Sequence, residues 1–366
     1  MYPVKVGVIG CGNISGIYFQ NLKQYAMVDL VACADLDMAR AKEAAAKHQI
    51  RAESVEVMLA DTEIELIVNL TIPKVHAEVS VAAIKHAKHV YVEKPLSVHR
   101  EDGVRVLEEA KRSNVLVGSA PDTFLGGAHQ TCRMLIDQGE IGRPVAANAF
   151  MMCHGHETWH PSPEFYYEAG GGPMLDMGPY YLTAMINMLG PVIEVAGMTS
   201  KAHETRTITS QPKHGKVVDV EVPTHLVGVL RFAEGLVGQI TTSFDVWHHR
   251  MPAIEVYGTE GTLAVPDPNG FGGAVRIRKH SDGDWVDVEI PFGFTDNSRG
   301  VGVLDMAYAI RKHRPHRASG ALAYHVLDVM QAVQEANDAK KAIHISSGVD
   351  RPQPMPLSRR SDDLDG

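Results

Sequence analysis

The chain has 366 residues, 45% of them hydrophobic and 22% charged, with a formal net charge of −9. That length is too great for one ordinary domain and comfortable for two. The acidic balance argues against a nucleic-acid surface or an anionic-membrane patch, and no apolar run reaches the roughly 20 residues of a membrane helix.

The sequence enters a strand at once, Val4 to Ile9, with no basic region followed by an apolar signal core, so a cytoplasmic protein is expected. The four cysteines, Cys11, Cys33, Cys132 and Cys153, show no C-x-x-C spacing and read as reduced thiols. After the first strand comes Gly10-Cys11-Gly12-Asn13-Ile14-Ser15-Gly16, then a helix through Tyr18 and Leu22. Strand, glycine turn and helix form the context of a dinucleotide fingerprint. Gly10 permits the tight turn, Gly12 lets the backbone approach a pyrophosphate, and Ser15 takes the place of the third glycine. The next strand, Val28 to Ala34, ends at Asp35, about where an acid bonds a ribose hydroxyl. Such an acid repels a 2′-phosphate, favouring NAD over NADP, although Arg40 lies nearby. Asp35 is also placed to cap the helix from Met38 to Lys47.

The rhythm continues with a strand from Ile64 to Leu70, then Thr71-Ile72-Pro73 and a helix from Val75 to about Ala87. His76, in its first turn, reads as either a cofactor contact or a capping residue. The strand Val90 to Val92 delivers Glu93-Lys94-Pro95 to its carboxyl end, where ligands bind in open α/β sheets. Pro95 cannot continue a central strand, so the chain turns there. A helix from Val98 to Arg112 and a strand from Val115 to Gly118 follow. This alternation implies an α/β fold with an N-terminal Rossmann doubly wound parallel sheet over residues 1–120.

Residues 121–346 change character. A helix spans about Ala128 to Gln138, and alternating stretches recur from Val145 to Ile290 with turn residues between them. They read as an α+β domain with a large, mainly antiparallel open sheet, one face on helices and the other available to a second subunit. Helices of about Val301 to Lys312 and Ala318 to Ala339 return over the domains. Residues 347–366, rich in Pro, Ser, Arg and Asp, read as a C-terminal arm. One helix stands apart: Gly170-Gly171-Gly172 precedes Pro173, and the helix runs to Leu189. Asp176 and Tyr180, four apart, share a face.

Together, the Gly10–Ile14 turn, Asp35, Thr71-Ile72-Pro73 with His76, Glu93-Lys94-Pro95, and Gly170-Gly171-Gly172 through Asp176 resemble the Gfo/Idh/MocA group, named for glucose–fructose oxidoreductase and inositol dehydrogenase. The resemblance covers nearly the whole chain. It implies an NAD(P)-dependent oxidoreductase acting on a sugar, polyol or related hydroxyl compound, in dimers or tetramers. It places Gly10, Gly12, Asn13, Ile14, Asp35, Thr71, Pro73, His76, Glu93 and Lys94 around the cofactor. Many members carry a histidine four residues after the helix aspartate and a second aspartate three later; Tyr180 and Thr183 stand here instead. Members resembling glucose–fructose oxidoreductase and dimeric dihydrodiol dehydrogenase carry the tyrosine.

Hydride transfer needs a group that takes the hydroxyl proton. Tyr180 is the candidate. A free phenol ionises near pH 10, and a neighbouring ammonium, assigned to Lys94, lowers that. Asp176 is expected to hold Lys94 or the substrate hydroxyl, and Glu93 to orient Lys94 or touch the nicotinamide side. His154, Trp159 and His160 lie in a segment that helps wall the substrate pocket in the family, and Asp122 follows the last Rossmann strand. A tryptophan face suits a sugar ring and imidazoles bond hydroxyls. The H-x-H-x3-H spacing of His154, His156 and His160 also offers a metal set, but the family calls for none. Rival readings are an NAD-dependent glycoside hydrolase using transient oxidation and a non-catalytic NAD-binding sensor.

Overall fold

The computed structural model of the chain describes residues 1–281, 283–357 and 364. They form two compact units: Met1–Gly127 with Pro291–Tyr324 and Pro352–Gly366, and Ala128–Ile290 with His325–Arg351.

In the first unit the elements run β1 (Val4–Ile9), α1 (Ser15–Leu22), β2 (Val28–Ala34), α2 (Met38–His48), β3 (Arg51–Glu53), α3 (Val55–Ala60), β4 (Leu66–Asn69), α4 (His76–Lys85), β5 (His89–Val92), α5 (Arg100–Ser113) and β6 (Val117–Ser119). Among the described residues, the six strands are ordered β3-β2-β1-β4-β5-β6, and every pair is parallel. Strands β1, β2, β4 and β5 are near-continuous runs of buried, mainly apolar residues, as parallel strands covered on both faces require, whereas the edge strand β3 is polar and partly exposed. Strand order reverses between β1 and β4, which puts the ligand crevice at the carboxyl ends of those two strands. The sequence reading lacked β3 and α3, short elements with little periodicity.

In the second unit come α6 (Gly127–Asp137, its first residue in the first unit), β7 (Pro144–Met152), α7 (Gly172–Leu189), β8 (Val192–Ser200), β9 (Thr205–Thr207), β10 (Val217–Asp219), β11 (His225–Phe232), β12 (Val237–Ser243), β13 (Ile254–Gly258), β14 (Gly261–Val265), β15 (Val275–Lys279) and β16 (Val286–Val288). Helix α8 (Val301–Lys312) belongs to the first unit, α9 (Gly320–Ala339) contributes to both, and β17 (Ile343–His344) closes the second. Among the described residues, nine strands make one sheet, β16-β15-β14-β13-β7-β12-β11-β8-β17, antiparallel except for β7 with β12. Its alternate residues pack inward under α7 and α9. Gly197 and Gly228 let α9 lie close, since a Cβ on either would meet Val333 within 3 Å. The β9–β10 pair is a separate two-stranded hairpin.

Of the C-terminal arm, Met355 and Leu364 are buried and Arg317 donates to the carbonyls of Gln353 and Pro354. The rest of the arm expected beyond 357 lies outside the described residues. Among the described residues, no helix is long and apolar enough to cross a membrane.

Candidate functional site

The turn after β1 is built by backbone geometry. Gly10 has a φ of 104°, and a Cβ there would meet the Leu70 carbonyl oxygen at 2.6 Å. Only glycine fits. At Gly12 a Cβ would meet no protein atom within 4 Å, so this backbone lies open. Helix α1 starts with no side-chain cap and no acid in its first turn. The Ser15 N–H returns to the Gly12 carbonyl at 3.1 Å, while the helix start itself carries no side-chain cap and Asn13 beside it is exposed, an arrangement a pyrophosphate fits. Ile14, next to Asn13, is 36% exposed.

Asp35 is tied to this turn. Its Oδ2 accepts the Cys11 N–H at 2.8 Å and its Oδ1 accepts the Asp37 N–H at 2.8 Å. The capping reading of Asp35 is corrected: Asp37 caps α2, accepting from the Ala39 N–H at 3.0 Å. Arg40 pairs with Asp37 at 3.4 Å. An open glycine backbone, an uncapped helix start and a fixed carboxylate thus lie together on the first unit.

After β4, the fully buried Asn69 organises the next turn. Its Oδ1 accepts from the Thr71 hydroxyl at 2.6 Å and the Thr71 N–H at 3.2 Å, and its Nδ2 donates to the His76 carbonyl and the Ser80 hydroxyl. Sequence reasoning missed Asn69. Its one signal was a polar residue ending an apolar strand just before Leu70-Thr71-Ile72-Pro73. Pro73 opens a single 3-10 turn that leads into α4. The His76 imidazole is enclosed, with Nδ1 2.7 Å from the Pro95 carbonyl and Nε2 3.0 Å from the Thr71 carbonyl. Burial holds its pKa below the usual value. His76 does not cap α4, since Val75 stands at the cap, and its ring braces two turns.

Glu93 is 8% exposed at the end of β5. It accepts from the Tyr18 hydroxyl at 2.8 Å and from the Lys94 N–H at 2.9 Å. Burial, and then the Glu93 charge, hold the Tyr18 phenol well above its usual pKa, so it remains the donor. The carboxylate therefore fixes the Lys94 backbone, and the side chain of Lys94 leaves from an anchored point. Lys94-Pro95 is a cis peptide.

Asp122 departs from expectation. It is 1% exposed, and its Oδ2 accepts from the N–H groups of Gly300 at 2.8 Å and Gly302 at 3.0 Å, capping α8. Burial pushes its pKa up to about 6, although those two bonds work against it. A carboxylate occupied in this way is corrected from substrate contact to helix cap.

The second unit brings a different set together. On α7, Asp176 and the 7%-exposed Tyr180 stand one turn apart. Asp176 Oδ2 lies 3.2 Å from Nε2 of His156, a residue singled out in the sequence only as part of a metal triplet. Aromatic rings of Trp159, Tyr166 and Phe244 surround that imidazole. The metal alternative fails on geometry: His154 stacks on Trp247 at 3.3 Å between ring centroids, His156 faces Asp176, and His160 accepts the Ser162 N–H. Among the described residues, no group of three His, Cys, Asp or Glu side chains is placed to hold a metal ion. Burial lowers the pKa of both His154 and His160. Trp159 is 61% exposed and Trp247 68%.

Beneath this segment lies a buried charge network. Arg206, on β9, donates to Glu157 at 2.8 Å, to the Phe244 carbonyl at 2.9 Å and to Asp245. The Tyr167 hydroxyl donates to the other Glu157 oxygen, and the Thr224 hydroxyl to Asp245 at 2.7 Å. Burial, then Glu157, raise the Tyr167 pKa above its usual value. The glycine run also proves specific. A Cβ on Gly171 would collide with the Phe165 carbonyl, so the run lets α7 approach the 165–166 turn, which carries Tyr166 to His156.

Residues 4–120 match the model of an oxidoreductase family with an NAD-binding Rossmann fold, and residues 129–264 that of the GFO/IDH/MocA C-terminal domain. The chain is 26% identical over 262 residues to myo-inositol 2-dehydrogenase of Thermotoga maritima, spanning 71% of this chain and 74% of that one. It is 29% identical over 216 residues to 1,5-anhydro-D-fructose reductase of Ensifer adhaerens, spanning 57% and 59%. A solved structure of levoglucosan dehydrogenase in complex with NADH and L-sorbose shares the fold, with a TM-score of 0.82 over 94% of this chain and 99% of that one at 19% identity. On both matched halves, the chain belongs to the Gfo/Idh/MocA family of NAD-binding oxidoreductases.

Proposed function

We propose that this protein is a dehydrogenase or reductase that moves a hydride between NAD(H) and a secondary hydroxyl or carbonyl of a sugar, polyol or sugar derivative. Its family and its relatives named for inositol and anhydrofructose support the substrate class. The observation that carries the reading is the Glu93-Lys94 turn: a buried carboxylate bonded to the Lys94 N–H at the carboxyl end of β5. That expense of buried charge suits a lysine whose placement matters.

NAD, when bound, supplies the hydride acceptor. Gly10, Gly12, Asn13, Ile14, Asp35, Thr71 and Pro73 hold and orient it, and Asp35 disfavours a 2′-phosphate. Lys94 and Tyr180 handle the hydroxyl proton, and Asp176 orients the hydroxyl. Trp159, His154 and His160 bind the sugar. A screen of polyols, aldoses and anhydro-sugars with NAD and NADP, read at the NADH absorbance, tests the reading. Net NADH release from a free sugar with NAD preferred supports it and rejects both a hydrolase and a sensor. Absence of turnover with every compound rejects it. Lys94→Ala and Tyr180→Phe are each expected to lower kcat by about 100-fold or more while NADH binding persists.

Assembly is part of the same reading. The outward face of the nine-stranded sheet carries the exposed Met198, Val229 and Val237, which suits a homodimer or homotetramer formed through this sheet. Light scattering reads the mass, and Val229→Glu is expected to shift it towards monomer.

A further inference from the structure

The His156–Asp176 pair has a construction that a packing histidine does not need. Asp176 comes from the first turns of α7, and His156 from the loop after β7, 20 residues earlier. The two side chains are 17% and 12% exposed, so both are largely withdrawn from water. Nδ1 of His156 is buried without a partner, which leaves Nε2 as the nitrogen that carries the polar contact. Three rings fix the plane of the imidazole: Tyr166 at 4.3 Å, Phe244 at 4.7 Å and Trp159 at 5.2 Å between centroids.

The backbone at residue 156 is anchored from both sides. Gly155 before it adopts a φ of 72°. Glu157 after it is locked by Arg206 and Tyr167, and its carbonyl accepts from the N–H groups of Thr209 and Ser210 at 2.9 and 3.0 Å. The N–H of His160 returns to the His156 carbonyl at 2.9 Å. Any aromatic ring would satisfy the three ring contacts. The Nε2 position adds what a ring alone does not, a polar contact to the Asp176 carboxylate at 3.2 Å.

We propose that His156 is a positioning residue that works through Asp176, its Nε2–H fixing the rotation of that carboxylate towards the substrate hydroxyl. The proposal rests on the reading that Asp176 serves the substrate. Partners of this kind, one step removed from the reacting atoms, are typically worth ten- to a hundredfold in activity.

His156→Phe keeps the ring packing and removes the donor. His156→Gln places an amide N–H near the Nε2 position. In the full-length protein, the phenylalanine variant is expected to lose about tenfold or more in kcat, with the Kd for NADH unchanged, and the glutamine variant to recover most of that loss. A purely structural role reverses the order, with phenylalanine tolerated and glutamine not. That reversal, or a phenylalanine variant with wild-type kcat, overturns the proposal. If His156→Phe does not fold, the glutamine variant decides: kcat within about threefold of wild type supports the role, and a tenfold loss overturns it. A wild-type protein that turns over no sugar or polyol refutes the functional reading instead. The pairing is then read by 15N NMR of labelled histidine. An Nε2–H tautomer at His156 that is lost in Asp176→Leu supports it, and an Nδ1–H tautomer in the wild type overturns it.

Discussion

The two units hold their candidate residues by different means. In the first, every candidate carboxylate or amide fastens backbone, whatever else it bonds: Asp35 holds the Cys11 N–H, Asn69 the Thr71 N–H, Glu93 the Lys94 N–H, and Asp122 the N–H groups of Gly300 and Gly302. In the second, side chains fasten side chains: His156 with Asp176, and Glu157 with Arg206, which also holds Asp245. The first arrangement suits a dinucleotide, whose phosphates accept readily from backbone N–H groups. The second suits a ligand recognised by hydroxyls, where fixed side-chain donors and acceptors select among isomers.

The comparison is broken most directly at Arg206. It is 5% exposed between two carboxylates that are nearly as buried. Removing it leaves two acids without a counter-charge, so Arg206→Met is expected to cost about 3–5 kcal/mol in urea unfolding. Neutralising the acids as well, in the triple variant Glu157→Gln, Arg206→Met, Asp245→Asn, is expected to recover a large part. Equal stability of single and triple variants would show that the network contributes through packing alone.

Asp122 gives a pH test within the first unit. Its folded pKa, raised to about 6 by burial, lies above the value of a carboxyl in an unfolded chain. The folded state therefore holds a proton that the unfolded state has already lost. The stabilisation is complete below about pH 4 and is lost as the pH rises through about 6. Wild type is expected to lose up to about 3 kcal/mol relative to Asp122→Asn between those limits. Unfolding curves at pH 4 and pH 7 that move in parallel for the two proteins would show that the two N–H bonds outweigh the burial.

This difference in construction also decides what the sequence reveals. A turn made of backbone requires particular residues at fixed spacing, so Gly10, Gly12 and Asp35 announce themselves, as do the alternating strands and helices around them. The large sheet was legible because its strands alternate, whereas the strands of the separate β9–β10 hairpin are too short to show a period. The second unit's network was not legible. Arg206 lies 49 residues from Glu157 and 39 from Asp245, and nothing in a local window marks such partners. His156 was visible only as one of three histidines, because its meaning depends on Asp176. Asp122 misled for the complementary reason: its position after β6 suggests a pocket, and only α8, some 180 residues later, shows that it is a cap.

A pair of glycines sharpens the account of the first unit. Gly10→Ala forces a side chain into the left-handed region and against the Leu70 carbonyl, so about 1–3 kcal/mol of stability and most of the NADH affinity are expected to go together. At Gly12 a Cβ meets nothing in the protein. Gly12→Ala is therefore expected to leave stability within about 0.5 kcal/mol of wild type while weakening NADH binding. Denaturation and NADH fluorescence titration separate the two effects. Loss of stability in both variants would assign both glycines to the turn itself.

The smallest effect separates two neighbouring acids. Asp37 caps α2 through the Ala39 N–H, and Asp35 reaches back to the glycine turn. Asp37→Ala is expected to cost about 1 kcal/mol of stability with the NAD-to-NADP preference intact. Asp35→Ala is expected to move that preference towards NADP, because the charge that repels a 2′-phosphate is gone. The Asp37 variant also releases Arg40, whose guanidinium lies 3.4 Å from Asp37 in the native chain. Should Asp37→Ala raise the affinity for NADP, the ion pair, and not Asp35 alone, is what keeps Arg40 away from the phosphate, and the cofactor preference of this turn belongs to three residues acting together.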